Sequence, residues 1–253
     1  MREEKDLTSI GLEAVDRFIT TFNSRDVSAW ADTLHFPHVR PSPIGPIRSL
    51  ANKDEYVAAF DFANVIKTGW DHSEWDYKHF LHQSPKKLHV AGQWSRYTSQ
   101  GEKILSTPIV YIVTWLDGRW GIQSRFGSDY AGDDDVSGFE TRAFRLYETF
   151  VSHYNNGHLD ACAELLNYPH FRIEPGALNE VRDASEFKKA ADHIQIDGMM
   201  AVQTGHKSMN LAVDLTLQQS GSSTARQGVI NITERDGHLG IQAISLLDPN
   251  ETE

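Results

Sequence analysis

The chain carries one passage twice. Residues 22–40 read FNSRDVSAWADTLHFPHVR, and residues 154–172 read YNNGHLDACAELLNYPHFR. Seven of these nineteen positions are identical: Asn23/Asn155, Ala29/Ala161, Ala31/Ala163, Leu34/Leu166, Pro37/Pro169, His38/His170 and Arg40/Arg172. A second echo follows in the same order, where VYIVTWLDGRWGIQ (110–123) is answered by VINITERDGHLGIQ (229–242). The first pair of blocks is offset by 132 residues and the second by 119, so the later copy is shorter between its blocks. Two long copies in register describe tandem domains; a solenoid would repeat every 20–50 residues or so. The expected division is a first domain over 1–126, an acidic, glycine-containing linker over 127–140 (GSDYAGDDDVSGFE), and a second domain over 141–253. Each domain is long enough to bury a modest core of its own.

Charge then narrows the partners. The chain has 24 basic and 35 acidic residues, a formal charge of −11, which disfavours nucleic acid and anionic membrane because both require a basic surface. Cys162 is the single cysteine, so no intramolecular disulfide can form. Its counterpart in the first copy is Trp30, which marks Cys162 as a core position rather than a nucleophile. The opening MREEKDLTSI is charged and has no apolar signal core, and no apolar run is long enough to span a bilayer. The expectation is a cytoplasmic protein.

Both copies begin with helical periodicity and end with strands. In the first, Leu12, Val15, Phe18, Ile19 and Phe22 recur at three- and four-residue steps, and Val27, Trp30 and Leu34 continue in a second helix that Ser24 or Asp26 can cap. His38–Arg40 reads as a short strand stopped by Pro41 and Pro43, and 53–63 as a third amphipathic helix. Segments 74–83, 87–98, 104–116 and 119–126 are aromatic and β-branched, with Asp117-Gly118 as a hairpin turn between the last two. In the second copy, helices are expected at 142–155, 158–167 and 184–194. Strands are expected at 170–174, 199–204, 207–218, 226–235 and 238–246. Three helices followed by a long antiparallel sheet make an α+β domain with helices on one face.

Helix, helix, short strand, helix and long sheet, entered through [Phe/Tyr]-Pro-His-x-Arg (Phe36–Arg40) and closed by Asp-Gly-x-x-Gly-Ile-Gln (Asp117–Gln123), resembles the nuclear transport factor 2-like superfamily, which includes SnoaL-like polyketide cyclases and ketosteroid isomerases. The resemblance covers both halves. It implies a cone in which three helices and a curved antiparallel sheet enclose one cavity. It also implies sheet-to-sheet pairing, here an intramolecular pseudo-dimer, with further oligomerisation possible. Ketosteroid isomerase-like members carry a catalytic carboxylate just after the first short strand. The first copy has none in Arg40–Gly45, whereas Glu174 could stand there in the second.

Several residues could carry chemistry. His38 and Arg40 alternate along an extended segment and share a face; inward, they could bind an anionic or carbonyl group with His38 as acid/base, and otherwise the Pro-His pair is a structural turn kept in both copies. Trp70-Asp71-His72-Ser73 is the densest polar and aromatic cluster, either a base (His72) beside an aromatic wall or a surface loop packed on the helices. All six tryptophans lie in the first half, so a ligand is expected in the first domain, with the second as a scaffold. Gln123 and Arg125 share a face of the last strand, as do Gln93, Ser95 and Tyr97 of an earlier one, with Trp94 and Arg96 opposite. Which face lines the cavity is open. Twelve histidines raise a metal site, with His79, His82 and His89 as the nearest grouping, but no ligand spacing supports one. No nucleotide-binding loop or serine-nucleophile elbow is present, so no cofactor is expected.

The leading expectation is a cofactor-independent lyase, dehydratase or isomerase acting on a small apolar or aromatic substrate. In it, His38 or His72 moves a proton, Arg40 or Arg125 meets negative charge, and Trp70, Tyr97 and Gln123 help to bind the ligand. The alternatives are a non-catalytic small-molecule binder and a structural pseudo-dimer with filled cavities.

Overall fold

A computed structural model describes residues 6–47 and 49–249. The charged residues 1–5 therefore lie outside the described residues. The first half runs α1 (Leu7–Asn23), α2 (Val27–Ala31), β1 (Leu34–Val39), β2 (Ser49–Leu50), α3 (Lys53–Ala59), α4 (Phe62–Ile66), β3 (His72–Gln83), β4 (Lys87–Tyr97), β5 (Lys103–Leu116) and β6 (Arg119–Gly127). The second runs α5 (Ser137–Asn155), α6 (Leu159–Glu164), β7 (Leu166–Glu174), β8 (Ala177–Val181), a single 3₁₀ turn (Ala184–Glu186), β9 (His193–Thr204), β10 (Ser208–Gln219), β11 (Ser222–Arg235) and β12 (His238–Leu246). The two six-stranded sheets have matching orders, β2-β1-β6-β5-β4-β3 and β8-β7-β12-β11-β10-β9. The chain is thus two tandem α+β domains, as the duplication implies.

The sheets are mixed rather than antiparallel throughout, because β1 pairs parallel with β6 and β7 with β12. The cause is local: each first strand follows a helix and enters the sheet beside the last strand of its domain. Elsewhere hairpins dominate, and Asp117-Gly118, Ser220-Gly221 and Asp236-Gly237 all take positive φ at both positions, as tight hairpin turns require.

The helices depart from expectation for identifiable reasons. Asp26, not Ser24, caps α2, accepting from the Ser28 and Ala29 amides at 2.9 and 3.0 Å. The helix expected over 53–63 breaks at Phe60, and Asp61 caps a new one by accepting from the Ala63 amide. The helix expected over 184–194 reduces to one turn. Only Phe187 is buried there, and the Ala190 and Ala191 amides donate to the Tyr154 hydroxyl at 2.7 and 2.6 Å instead of to helical carbonyls. β9 consequently begins at His193.

Each helical layer covers one face of its own sheet, and the other faces meet. Phe18, Phe22, Trp30, Tyr111 and their neighbours form the first core, and Tyr147, Phe150, Leu211, Ile230 and theirs the second. A third apolar cluster joins Val39, Ala91, Val110, Ile112 and Phe126 to Phe171, Ile173, Val229 and Ala243 across the two domains. Around it polar groups are satisfied in pairs. Lys87, with no exposed surface, donates to the Ile173 and Leu246 carbonyls at 2.7 and 2.8 Å and to Glu174 at 3.0 Å. His89 meets Ser245 at 2.9 Å, and Asn210 donates to the Phe126 carbonyl at 2.9 Å. Burying polar groups without partners would cost more than the apolar contact returns, so this pairing lets both faces of each sheet be buried.

Candidate functional site

Between the helices and the inner face of the first sheet lies a cavity of about 200 Å³, walled by Phe18, Phe22, Trp30, Phe60 and Trp94. The aromatic wall is cross-braced by tilted and edge-on pairs: Phe22–Trp30 at 4.9 Å, Phe18–Trp30 at 5.2 Å and Trp30–Phe60 at 4.7 Å between ring centres. Three arginines, Arg40, Arg96 and Arg125, line it together with Tyr56, and among the described residues no Asp or Glu does.

Arg125 is held most firmly. It stands on β6 opposite Tyr111, is buried, donates to Tyr56 Oη at 3.2 Å, and approaches His38 Nε2 at 3.4 Å. Its guanidinium lies 4.9 Å from the Phe18 ring and 5.6 Å from Trp30, so π faces supply the negative potential that a carboxylate would otherwise provide. Arg96, projecting from β4 beside Trp94, covers Phe22 and Trp94 at 5.4 and 5.5 Å, and burial lowers its pKa. Its Nε is buried without a hydrogen bond. Arg40, just past β1, is exposed and borders both this cavity and a larger chamber beside it. The surrounding protein, and then the Arg125 charge, bring its pKa down to about 10. Among the described residues no carboxylate pairs with any of the three.

His38 sits behind this cluster. It is buried, and its pKa falls well below the usual histidine value, first through burial and second through Arg125, with backbone at Ile122 and Gln123 pulling weakly the other way. The imidazole is therefore neutral near pH 7 and accepts from Arg125 through Nε2, which puts its proton on Nδ1. His170 is buried in the same place in the second domain, but there Nδ1 meets the Ile241 carbonyl at 3.0 Å and Nε2 has no hydrogen-bond partner among the described residues. Tyr56 has its pKa raised by burial, partly opposed by Arg125 and Arg40. It keeps its proton and can donate to a bound oxygen.

An outer chamber of about 760 Å³ adjoins the cavity and shares Arg40, Arg125, Tyr56 and Leu50 with it. The arginine pair and Tyr56 thus form the neck, the boundary between the two compartments.

The remaining candidates lie elsewhere. His72 bonds Asp71 Oδ2 at 3.0 Å, faces Glu74 at 3.6 Å and stacks on Tyr97 at 5.5 Å; neither ring lines the cavity. Trp70 is core, donating from Nε1 to Ser73 Oγ at 3.0 Å and packing on Phe22 and Phe62. Gln123 parts from Arg125 despite their spacing. Ile122 pairs with Val113 and Ser124 with Ile112, so Gln123 is the extra residue of a β-bulge. Its side chain reaches the Pro37 carbonyl and accepts from the Gly176 amide of the second domain at 3.1 Å. Arg96 and Tyr56 are the site residues that residue patterns alone did not single out. The pairing of Arg96 with Trp94 on one strand face was the available signal for the first; Tyr56 gave none beyond its place on an amphipathic helix.

The second domain encloses a cavity of about 170 Å³ with Tyr147, Phe150, Tyr154, Arg172 and Glu174 in its lining. Here the single arginine has a carboxylate two residues away, and Glu174 is itself held by Lys87. Cys162 is buried against the Phe150 carbonyl, and burial raises its thiol pKa to about 11. Among the described residues no cluster of three or more His, Cys, Asp and Glu side chains could hold a metal ion, and no helix is long and apolar enough to cross a membrane.

No family model and no curated protein matches this chain. Among solved structures it is similar to an NTF2-like protein of unknown function from Shewanella oneidensis MR-1, with 19% identity and a TM-score of 0.40 over 48% of this chain and 98% of that one. It is similar to a ketosteroid isomerase-like protein from Erwinia carotovora atroseptica SCRI1043, with 19% identity and a TM-score of 0.39 over 52% of this chain and 100% of that one. It is also similar to an NTF2-like protein with a cystatin-like fold from Novosphingobium aromaticivorans, with 8% identity and a TM-score of 0.42 over 51% and 84%. Each likeness spans about half of this chain, one domain's length at a time, and is a likeness to NTF2-like and ketosteroid isomerase-like proteins.

Proposed function

We propose that the first domain is a receptor for a small organic acid with a flat apolar body. The carrying observation is the convergence of Arg40, Arg96 and Arg125 in an aromatic-walled cavity without a carboxylate, inside a chain whose net charge is −11. Arg125 is buried, Arg96 is half-buried and Arg40 borders the same cavity; their like charges repel one another, and an anion brought into the cavity relieves them. A cavity of about 200 Å³ has room for one ring and its acid group, given that ~150 Å³ holds benzene. The carboxylate would sit at the neck, taking N–H donors from Arg40 and Arg125 and the Tyr56 O–H, with the ring among Phe22, Trp30, Phe60 and Trp94.

Binding is favoured over turnover by the state of His38. A general base needs an open lone pair, and that of His38 Nε2 faces Arg125, while the lining offers no carboxylate in its place. The second domain acts chiefly as the partner that covers the outer face of the first sheet.

Thermal unfolding of the full chain with phenylacetate tests the proposal. Binding to the folded state alone adds about 2.7 kcal/mol at a hundredfold excess over Kd, so the midpoint should climb with ligand concentration. That rise should vanish in Arg40→Met. A flat response to phenylacetate and to other aryl and branched alkyl carboxylates would overturn the assignment.

A further inference from the structure

The outer chamber belongs to both domains. From the first come Arg40, Arg125, Tyr56 and the apolar rim of Ile44 and Leu105; from beyond β6 come Asp129, Tyr130, His206 and Lys207. Ile44, Leu105 and Tyr130 are large apolar side chains left 71%, 38% and 50% exposed. Such side chains around one mouth suit the body of an organic ligand.

The turn bearing His206 and Lys207 is fixed in place. Asp129 accepts from the His206 amide at 2.8 Å, from the Lys207 amide at 3.1 Å and from Ser208 Oγ. Gly205 permits this approach, since a Cβ there would stand 2.2 Å from the Asp129 carbonyl oxygen. These donors occupy the chamber's carboxylate, and His206 is engaged by Asp134 at 3.1 Å. The Lys207 ammonium, by contrast, has no partner among the described residues. The groove on its other side carries Glu234, bonded to Arg142 at 2.8 Å, and Asp236. Among the described residues, the chamber therefore holds one unpaired cation beyond the neck, supplied by the second domain.

We infer that the second domain completes the first domain's site and that the ligand bears two acidic groups: one at the Arg40–Arg125–Tyr56 neck, the other in the outer chamber at Lys207. The substrate class is a dicarboxylate, or an equivalent dianion, with an apolar or aromatic body. It rests on the reading of the inner cavity as an acid receptor and goes beyond it in making the second domain part of the site.

Calorimetric titration of the full chain with phenylacetate and with phenylsuccinate, which differ by one carboxymethyl group, separates the two levels. At low salt phenylsuccinate should bind about fivefold more tightly, the upper range for a solvent-exposed ion pair, and salt should erode the difference. Lys207→Met should erase the gain while leaving phenylacetate affinity unchanged, and Lys207→Glu should reverse it; both changes are at an exposed side chain that the fold does not use. Equal affinity for the two acids in the unaltered protein, or equal weakening of both by Lys207→Met, overturns the inference alone. Failure of either acid to bind the unaltered protein overturns the receptor reading and this inference with it.

Discussion

Replacing Arg125 by methionine should make the empty protein more stable while abolishing acid binding. The side chain is buried and has no carboxylate partner among the described residues. Its hydrogen bonds to Tyr56 and His38 are long, at 3.2 and 3.4 Å, and each contributes about 1 kcal/mol or less. Its contacts over Phe18 and Trp30 contribute about 1–2 kcal/mol more. Against this stands the desolvation of a guanidinium, several kcal/mol, and its repulsion by Arg40 and Arg96. Methionine keeps the stem volume and returns apolar contact with the same rings. The balance favours the variant by about 1–3 kcal/mol, the range found when buried ionic groups give way to apolar ones. For a chain of this size that is a rise in Tm of roughly 3–10 °C. Calorimetry of the apo protein and titration with phenylacetate read the two effects separately. A variant less stable than the parent by about 1 kcal/mol or more, against the expected gain, would refute the reasoning. Arg125 would then be a structural brace, and the arginine cluster no poised binding site.

Three further outcomes follow from the packing. Lys87→Met leaves the Ile173 and Leu246 carbonyls and Glu174 without their donor; it should cost about 2–4 kcal/mol and split chemical denaturation into two transitions as the domains uncouple, whereas a single unshifted transition would contradict it. Phe126→Ala removes a fully buried ring from the inter-domain cluster and should cost about 3–5 kcal/mol with both domains losing near-UV dichroism together. His35 and His170, buried and held to pKa values of about 4, resist protonation in the fold but take protons near pH 6.5 when unfolded. Their stabilisation is complete above pH 6.5 and is lost as pH falls towards 4, amounting to about 2 kcal/mol each at pH 5. In equilibrium denaturation at pH 7 and pH 5, His170→Gln should show a smaller loss than the parent, and an equal loss would remove His170 from the account.

The parts legible from residues alone are those set by short-range chemistry. Asp-Gly favours positive φ at both positions and placed the hairpin at 117–118, and Asp236-Gly237 adopts the same turn in the second copy. The later long strands kept one or both of their bounds to within a residue because β-branched and aromatic runs have few alternatives, whereas β1, β7, β9 and β11 begin four to six residues before the expected segments, and β2 and β8 were not anticipated. The helix expected over 184–194 did not form, because composition permitted it while only Phe187 found a core to enter. In the site, Arg40, Arg125 and His38 were nameable from their spacing on short strands. Arg96 and Tyr56 were not singled out: the one local signal was the strand face that Arg96 shares with Trp94, and Tyr56 had only its place on an amphipathic helix. Gln123 was assigned to the face of Arg125 by simple alternation, and a bulge visible only in the pairing register sends it to the other domain.

Duplication, hairpin chemistry and the order of helices and strands were enough to establish two α+β domains, because each follows from contacts near in sequence or from the bare fact of repetition. Which face of each sheet encloses a cavity was beyond their reach. Both faces are buried, one under helices and one against the partner domain, so an apolar alternation that normally separates inside from outside carries no label here. Only the packing of the two sheets on each other turns Val110 and Ile112 towards the second domain and Ile109 and Tyr111 towards the first core. The same choice gathers Arg40 from the end of β1, Arg96 from β4 and Arg125 from β6 around one aromatic cavity.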